Sequence, residues 1–271
     1  MPLLLLKLTL TPLLVGGASL ATRRWGPAIG GWIVSLPLTS GPVLFFLALG
    51  EGPAFAAQAT VGTLLGLGAI CGFCAAYLLA SRRGPVVAML AATGAYALVA
   101  IAVQPVAGAP FAIIVVAVVA ALMGVLRLLP PPVARTSPRA HPRWDLPARV
   151  IVGTLLVVLF TTIAPLLGPV TSGIVTTFPV YVSVLSVFEH ARAGRAAALE
   201  VQRGLLTGLV GPVAYYIVVR ALVEPAGVAV AFSAAVVVTG IVGVIALRFV
   251  RAGTAGASAS LADQELEPET V

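Results

Sequence analysis

Apolar runs of about 20 residues, cut by Gly-Pro turns and arginine-bearing loops, fill most of this chain and restrict what it can fold into. Such runs lie near 3–21, 27–49, 54–80, 85–103, 108–128, 146–166, 169–189, 195–222 and 225–250. Each is long enough to cross the hydrocarbon core of a bilayer as a helix. In lipid a spanning segment must satisfy its own backbone hydrogen bonds, which leaves helices as the reading for runs of this length. Of the 271 residues 60% are hydrophobic and 9% charged, against roughly 25% charged in soluble domains. A water-soluble globular enzyme and a disordered chain are both excluded on that ground. The expected fold class is therefore all-α, a polytopic membrane protein of about nine transmembrane helices.

The turns Gly26-Pro27, Gly84-Pro85 and Gly168-Pro169 separate otherwise continuous apolar stretches. The segment 129–147 holds Pro130-Pro131-Pro132 with Arg135, Arg139 and Arg143 and reads as the one obvious linker. From Gly253 the chain turns small and acidic, with Asp263, Glu265, Glu267 and Glu269, and is expected to be a disordered, solubilising tail. Ser19-Leu20-Ala21 offers a cleavage-like pattern, but no positive region precedes the leucine run, so a retained first helix is the expectation.

Charge placement tests the span count. Arg23, Arg24, Arg82, Arg83, Arg127, Arg135, Arg139, Arg143, Arg192, Arg195, Arg248 and Arg251 all fall on one side of a nine-span layout. The opposite side carries Glu51, the uncharged loop at Gln104, the Leu167-Gly168 turn, and Arg220 with Glu224. Arginine enrichment marks the cytoplasmic face. The layout therefore puts the N-terminus outside and the C-terminus inside. The net charge of +7 is then a matter of topology and headgroup affinity, and nucleic acid is not an expected partner.

The chain also repeats itself. Gly26-Pro27-Ala28-Ile29-Gly30-Gly31 and Pro37 recur 142 positions later as Gly168-Pro169-Val170-Thr171-Ser172-Gly173 and Pro179. At the same offset Gly52 meets Gly194, Gly62 and Gly66 meet Gly204 and Gly208, Phe46 meets Phe188, Lys7 meets Arg149, and Gln58 meets Glu200. Glycine and proline matches mark backbone requirements rather than hydrophobicity. Five spans separate a helix from its copy, so the halves must enter from opposite faces. The expected organisation is a first four-helix repeat (1–105), a linking helix with its Arg/Pro-rich cytoplasmic loop (106–145), a second, inverted four-helix repeat (146–252), and the tail (253–271). Inverted repeats are a common transporter plan, with sites near the repeat interface.

The halves resemble a known family. A basic residue opens the first helix, and a Gly-rich opening and a proline mark the second. In the second half follow Phe178-Pro179, Phe188-Glu189-His190 and Gly194-Arg195-Ala196-Ala197-Ala198-Leu199-Glu200, leading into Gly211-Pro212-Val213-Ala214-Tyr215-Tyr216. This is similar to the small four-helix bacterial membrane proteins of the GlpM type, over about 105 residues of the second half and more loosely in the first. In the first half Gln58 replaces the acidic residue and Gly50-Glu51 the arginine loop. The resemblance implies a four-helix unit and a link to envelope polysaccharide production, and it supplies neither a mechanism nor a defined site.

Ionisable and polar groups inside spans are site hypotheses by default. Lys7 and Arg149 form two symmetry-related cationic posts; the alternative is that both snorkel to the interface. Glu200 and Arg203, at i and i+3, can pair with each other, or Glu200 can counter Arg149, while Gln58 stands where the first half lacks that acid. Ser35, Thr39 and Ser40 around Pro37, and Thr176, Thr177 and Tyr181 around Pro179, place hydroxyls on a kinked helix of each half. They point to a substrate path, or else pack helices closely and bond back to their own backbone. The stripes Gly62/Gly66 and Gly204/Gly208 read as close helix packing, Arg220 and Glu224 as an interfacial ion pair, and Cys71 and Cys74 as small apolar filler. His141 and His190 have no metal-ligand company, and no metal, cofactor or catalytic motif is expected. The lead expectation is a non-enzymatic, transporter-like membrane protein that binds or moves an anionic or amphiphilic solute, such as a cell-envelope lipid intermediate. The alternative is a non-transporting membrane subunit or scaffold of an envelope polysaccharide or lipid assembly system. The expected partners are the bilayer and an anionic lipid or small anion.

Overall fold

The structure is a computed structural model and describes residues 2–37, 40–50, 52–131, 144–163 and 177–266. Among the described residues there are helices and no strands. The first half contains α1 (Pro2–Trp25), α2 (Pro27–Ser35), α3 (Ser40–Gly50), α4 (Pro53–Ala80) and α5 (Pro85–Ala102), followed by α6 (Phe111–Leu128). The second contains α7 (Asp145–Ile163), α8 (Val180–Ala193), α9 (Arg195–Gly208), α10 (Val210–Leu222) and α11 (Val228–Leu266). Short 3-10 turns at Ser81–Arg83 and Gln104–Gly108 close α4 and α5.

Among the described residues, five stretches are long and apolar enough to cross a membrane: Pro53–Arg83, Pro85–Ala102, Phe111–Leu128, Arg195–Leu222 and Val228–Arg248. The chain therefore fits a helical membrane protein. α5 shows the pattern. Ala88, Ala92, Tyr96 and Ala100 face inward at four-residue spacing, while Val86, Leu90, Leu98 and Ile101 are exposed. Exposed leucines cost nothing against lipid tails, so a small-residue stripe can be reserved for the helix contact.

The Gly-Pro turns start helices as expected. Pro27 and Pro85 are the first helical residues after Gly26 and Gly84, where the missing proline N–H is no loss. The 168–169 turn lies outside the described residues. Gly52 and Gly194, which lie 142 positions apart, both carry the positive φ that favours glycine, 97° and 88°, at the corners before α4 and α9. The run at 27–49 breaks after Ser35, where Leu36 is extended ahead of Pro37, and α8 starts directly after Pro179. α9 and α10 are almost one helix: Leu209 stays helical, and Pro212, lacking its N–H, accounts for the interruption.

The acidic tail departs from expectation. α11 continues past Gly253 to Leu266. Ala257, Ala259, Leu261, Ala262, Gln264, Glu265 and Leu266 are good helix formers and extend a helix already nucleated in the apolar stretch.

Two antiparallel helix pairs join the first half to the second. α1 and α7 run antiparallel. Arg23, near the end of α1, meets Asp145, the first residue of α7, and Val15 packs on Gly153, two turns further along α7. α4 and the α9–α10 helix also run antiparallel. The Arg195 Nε donates to Ser81 Oγ at 2.7 Å, the Cys74 thiol donates to Gln202 Oε1 at 2.9 Å, and the Arg220 Nη1 donates to the Ala57 carbonyl at 2.6 Å. Descending α4 from Ser81 through Cys74 to Ala57 thus ascends the other helix from Arg195 through Gln202 to Arg220.

α2 packs onto α9 through glycines. A Cβ on Gly204 would collide with the Ala28 backbone carbonyl, and one on Gly31 with that of Val201. Gly208 meets the Ser35 hydroxyl and Gly66 the Thr177 hydroxyl. Close packing is therefore the role of three of the four stripe glycines, while Gly62 has open space around it.

Candidate functional site

Arg149 sits one turn into α7, four residues after Asp145, so the two side chains share a helix face. Its side chain is 1% exposed. The guanidinium donates through Nη2 to Glu189 Oε1 on α8 at 2.8 Å and to Asp145 Oδ1 at 3.2 Å, and its Nε lies 3.1 Å from Asp145 Oδ2. The carbon of the guanidinium stands 5.2 Å from the centre of the Phe188 ring, a distance at which the ring face attracts a cation.

Both carboxylates reach a second arginine. Arg23 Nη2 donates to Asp145 Oδ2 at 2.9 Å, and Arg192 Nη2 donates to Glu189 Oε2 at 2.5 Å. The result is a row, Arg23–Asp145–Arg149–Glu189–Arg192, joining α1, α7 and α8. It contains three cations and two anions. Its centre is out of solvent, with Glu189 fully buried, and its outer arginines are 24% and 18% exposed. A buried arginine is tolerable only when its donors are matched, and here two carboxylates share them. Asp145 lies at the start of α7, where the helix dipole favours a negative charge. Burial pushes its carboxyl upward, but the adjacent Arg149 and Arg23 outweigh that and hold it below the ordinary aspartate range.

A second polar set lies one turn away on α8. The Gln202 amide donates to the Ser186 hydroxyl at 2.9 Å, and its carbonyl accepts from Cys74. The Tyr77 hydroxyl stands 3.0 Å from His190 Nδ1 and 3.3 Å from the Ser186 carbonyl oxygen. Ser186, Gln202, Tyr77 and Cys74 are all buried, and His190 is 8% exposed. Burial, with Arg195 nearby, lowers the His190 pKa below the usual histidine value, so the ring is neutral at neutral pH, and its Nδ1 shares a hydrogen bond with the Tyr77 hydroxyl.

These two clusters redraw the expected site. Of the expected residues only Arg149 stands in the charge row, and its acids are Asp145 and Glu189. Glu200 pairs with Arg203 at 3.5 Å, and Arg203 also donates to the Pro130 carbonyl at the end of α6. That pair ties α9 to α6, away from Arg149. Gln58, the match of Glu200, is exposed on the outer face of α4. Ser35 donates to the Trp32 carbonyl at 2.6 Å, as the backbone-bonding alternative anticipates. Thr177 shares a 2.6 Å hydrogen bond with the Tyr96 hydroxyl, and Tyr181 is half-buried in the first turn of α8. Thr39 and Thr176 lie outside the described residues, as do the side chains of Lys7 and Ser40.

Two smaller expectations change. Arg220 turns to the Ala57 carbonyl and the Phe111 ring, 4.8 Å away, and Glu224 is exposed. A guanidinium in an apolar setting gains more from a helix carbonyl and a ring face than from a solvated carboxylate. Cys74 is a hydrogen-bonded member of the polar set rather than filler. Among the described residues no three metal-binding side chains converge.

The residues missed by reading along the chain are Asp145, Glu189, His190, Tyr77 and Ser186. The i, i+4 spacing of Asp145 and Arg149, and the i, i+3 spacing of Glu189 and Arg192, were the available signals. No protein-family model, no curated protein and no solved structure matches the chain.

Proposed function

We propose that the chain is a nine-span transporter of the bacterial inner membrane, built from two inverted GlpM-like units, that binds and moves an anionic or amphiphilic solute. Helices related by the 142-residue offset pair with each other antiparallel, α1 with α7 and α4 with α9–α10. That is the arrangement expected around a two-fold axis lying in the membrane plane. Contacts also come in matched pairs: Gly66 with Thr177 and Gly208 with Ser35 are the same contact under the offset. The proposed topology puts the charge row toward the cytoplasm.

The observation that carries the anion reading is Arg149, fully buried, shared by two carboxylates, in a row whose net charge is +1. A buried pair of this kind is weak evidence for stability. It suits a gate in which a solute anion displaces Glu189 or Asp145 from the guanidinium. The positions matching Asp145 and Glu189 in the first half are Leu3 and Leu47. The outer post at Lys7 is thus expected to receive an anion more readily than the inner one, which its own acids neutralise.

Purified protein in liposomes tests this with three probes: radiolabelled inorganic phosphate, sulfate, and flipping of a fluorescent phosphatidylglycerol. Movement of at least one, altered by Glu189→Gln and weakened from the outer face by Lys7→Ala, supports the reading. Absence of all three in a correctly inserted protein overturns it in favour of the non-transporting scaffold.

A further inference from the structure

The polar set beside the charge row has a chemistry that the anion reading does not use. In the neutral tautomer that carries its proton on Nε2, Tyr77 has two acceptors within reach, His190 Nδ1 at 3.0 Å and the Ser186 carbonyl at 3.3 Å. It therefore has somewhere to send its proton if the first acceptor is lost. His190 is the only titratable member of the set outside the apolar spans, and it follows Glu189, the acid that holds Arg149. Resting on the transport reading above, we propose that the solute moves together with a proton and that His190 is the residue that binds it.

The step is a single protonation. Hydronium gives up a proton: one of its O–H bonds breaks, one N–H bond forms at His190 Nδ1, a water molecule is left, and no electron changes hands. The new N–H donates to the Tyr77 oxygen, and the Tyr77 O–H turns to the Ser186 carbonyl. The three arginines and two carboxylates of the row sum to +1, and a protonated His190 raises the local charge to +2. In a low-dielectric setting that added charge favours an anion, and by linkage the anion favours the proton.

The groups around His190 are few. α4 brings Tyr77 and α9 brings Arg195, which is held by Ser81 and disfavours the imidazolium. α7 brings Asp145 and Arg149, and α1 brings Arg23, all through Glu189. α8 itself adds Glu189 and Arg192. α2 and α5 pack on α8 without a charged side chain, and α5 offers only Tyr96. Burial and Arg195 oppose the proton; an incoming anion removes that opposition, which makes uptake conditional on solute.

The chain has two histidines, so imidazole 15N NMR of the full-length protein in nanodiscs can follow both. The His190 midpoint should lie below the ordinary histidine value of about 6.5. Tyr77→Phe should lower the His190 midpoint by about one unit, because the charge-assisted hydrogen bond from the protonated ring to the Tyr77 oxygen is lost and outweighs the weaker bond to the neutral ring. A His190 that stays neutral down to about pH 4, or a midpoint indifferent to Tyr77→Phe, overturns the assignment. In proteoliposomes containing a pH dye, inflow of whichever of sulfate and inorganic phosphate is moved should acidify the lumen. His190→Gln should cut that proton movement on the order of a hundredfold. Anion flux without proton movement in the unaltered protein refutes the proton site alone, whereas no movement of sulfate, inorganic phosphate or the fluorescent phosphatidylglycerol refutes the transport reading and the coupling with it.

Discussion

Arg149 shows how much a single buried charge depends on its partners. Removing one carboxylate leaves the guanidinium under-compensated in a site with almost no solvent. Glu189→Ala should therefore destabilise the protein by about 3–5 kcal/mol, measured by reversible unfolding in mixed micelles. Replacing the centre together, as Arg149→Met with Glu189→Gln, should recover most of that loss. A Glu189→Ala variant as stable as the parent would show that the row is not closed as described. Asp145 adds a pH signature. Its folded pKa is depressed, so its contribution is present above the ordinary aspartate pKa and is lost as pH falls through the folded value. Stability should be flat through neutral pH and drop below about pH 4, and Asp145→Asn should flatten that acid limb.

The helices meet where glycine allows backbones to touch, and the two halves use the same stripe unequally. Gly204 lies against the Ala28 carbonyl, whereas its match Gly62 faces open space. Gly204→Ala must push α2 off α9 and should cost about 1–3 kcal/mol. Gly62→Ala adds a better helix former where nothing is displaced and should be neutral or stabilising by up to about 1 kcal/mol. Thermal melts of the two variants in one detergent compare them directly, and equal melting temperatures would contradict the α2–α9 contact. The helix starts at Pro27, Pro53 and Pro85 and the break before Pro37 were legible along the chain, because proline and glycine act on the local backbone. The helical extension to Leu266 was not, because acidity argued for disorder while Ala, Leu and Gln favoured continuing a helix already formed.

The arrangement of the two halves is open to cross-linking and labelling. The Val15 Cβ lies 3.8 Å from the position of a Cβ built on Gly153, the usual Cβ separation across a disulfide. In a background lacking Cys71 and Cys74, Val15→Cys with Gly153→Cys should form a disulfide readily, and Val15→Cys with Val157→Cys, the matched positions, should not. Failure of the Val15–Gly153 pair to cross-link would contradict the α1–α7 contact. Cysteine placed at position 139 should resist impermeant labels in intact cells while one at position 51 reacts; the opposite pattern would invert the proposed topology.

Reading along the chain was enough for the helical membrane class, the helix starts and the 142-residue offset, and it singled out Arg149 as a charge near an apolar run. Each rests on local physics: hydropathy over about 20 residues, the backbone demands of glycine and proline, and the cost of a charge in an apolar run. Which acid answers Arg149 was a different kind of question. Glu200 and Glu189 are both on helices of the second half, and spacing along the chain cannot say which one α7 will face. Packing chose Glu189, because α7 lies against α8 and α1, while Glu200 faces Arg203 and the end of α6. The meeting of Tyr77 with His190, more than 100 residues apart, was hidden for the same reason: a hydrogen bond between helices depends on how they are docked and rotated, and no local periodicity records that.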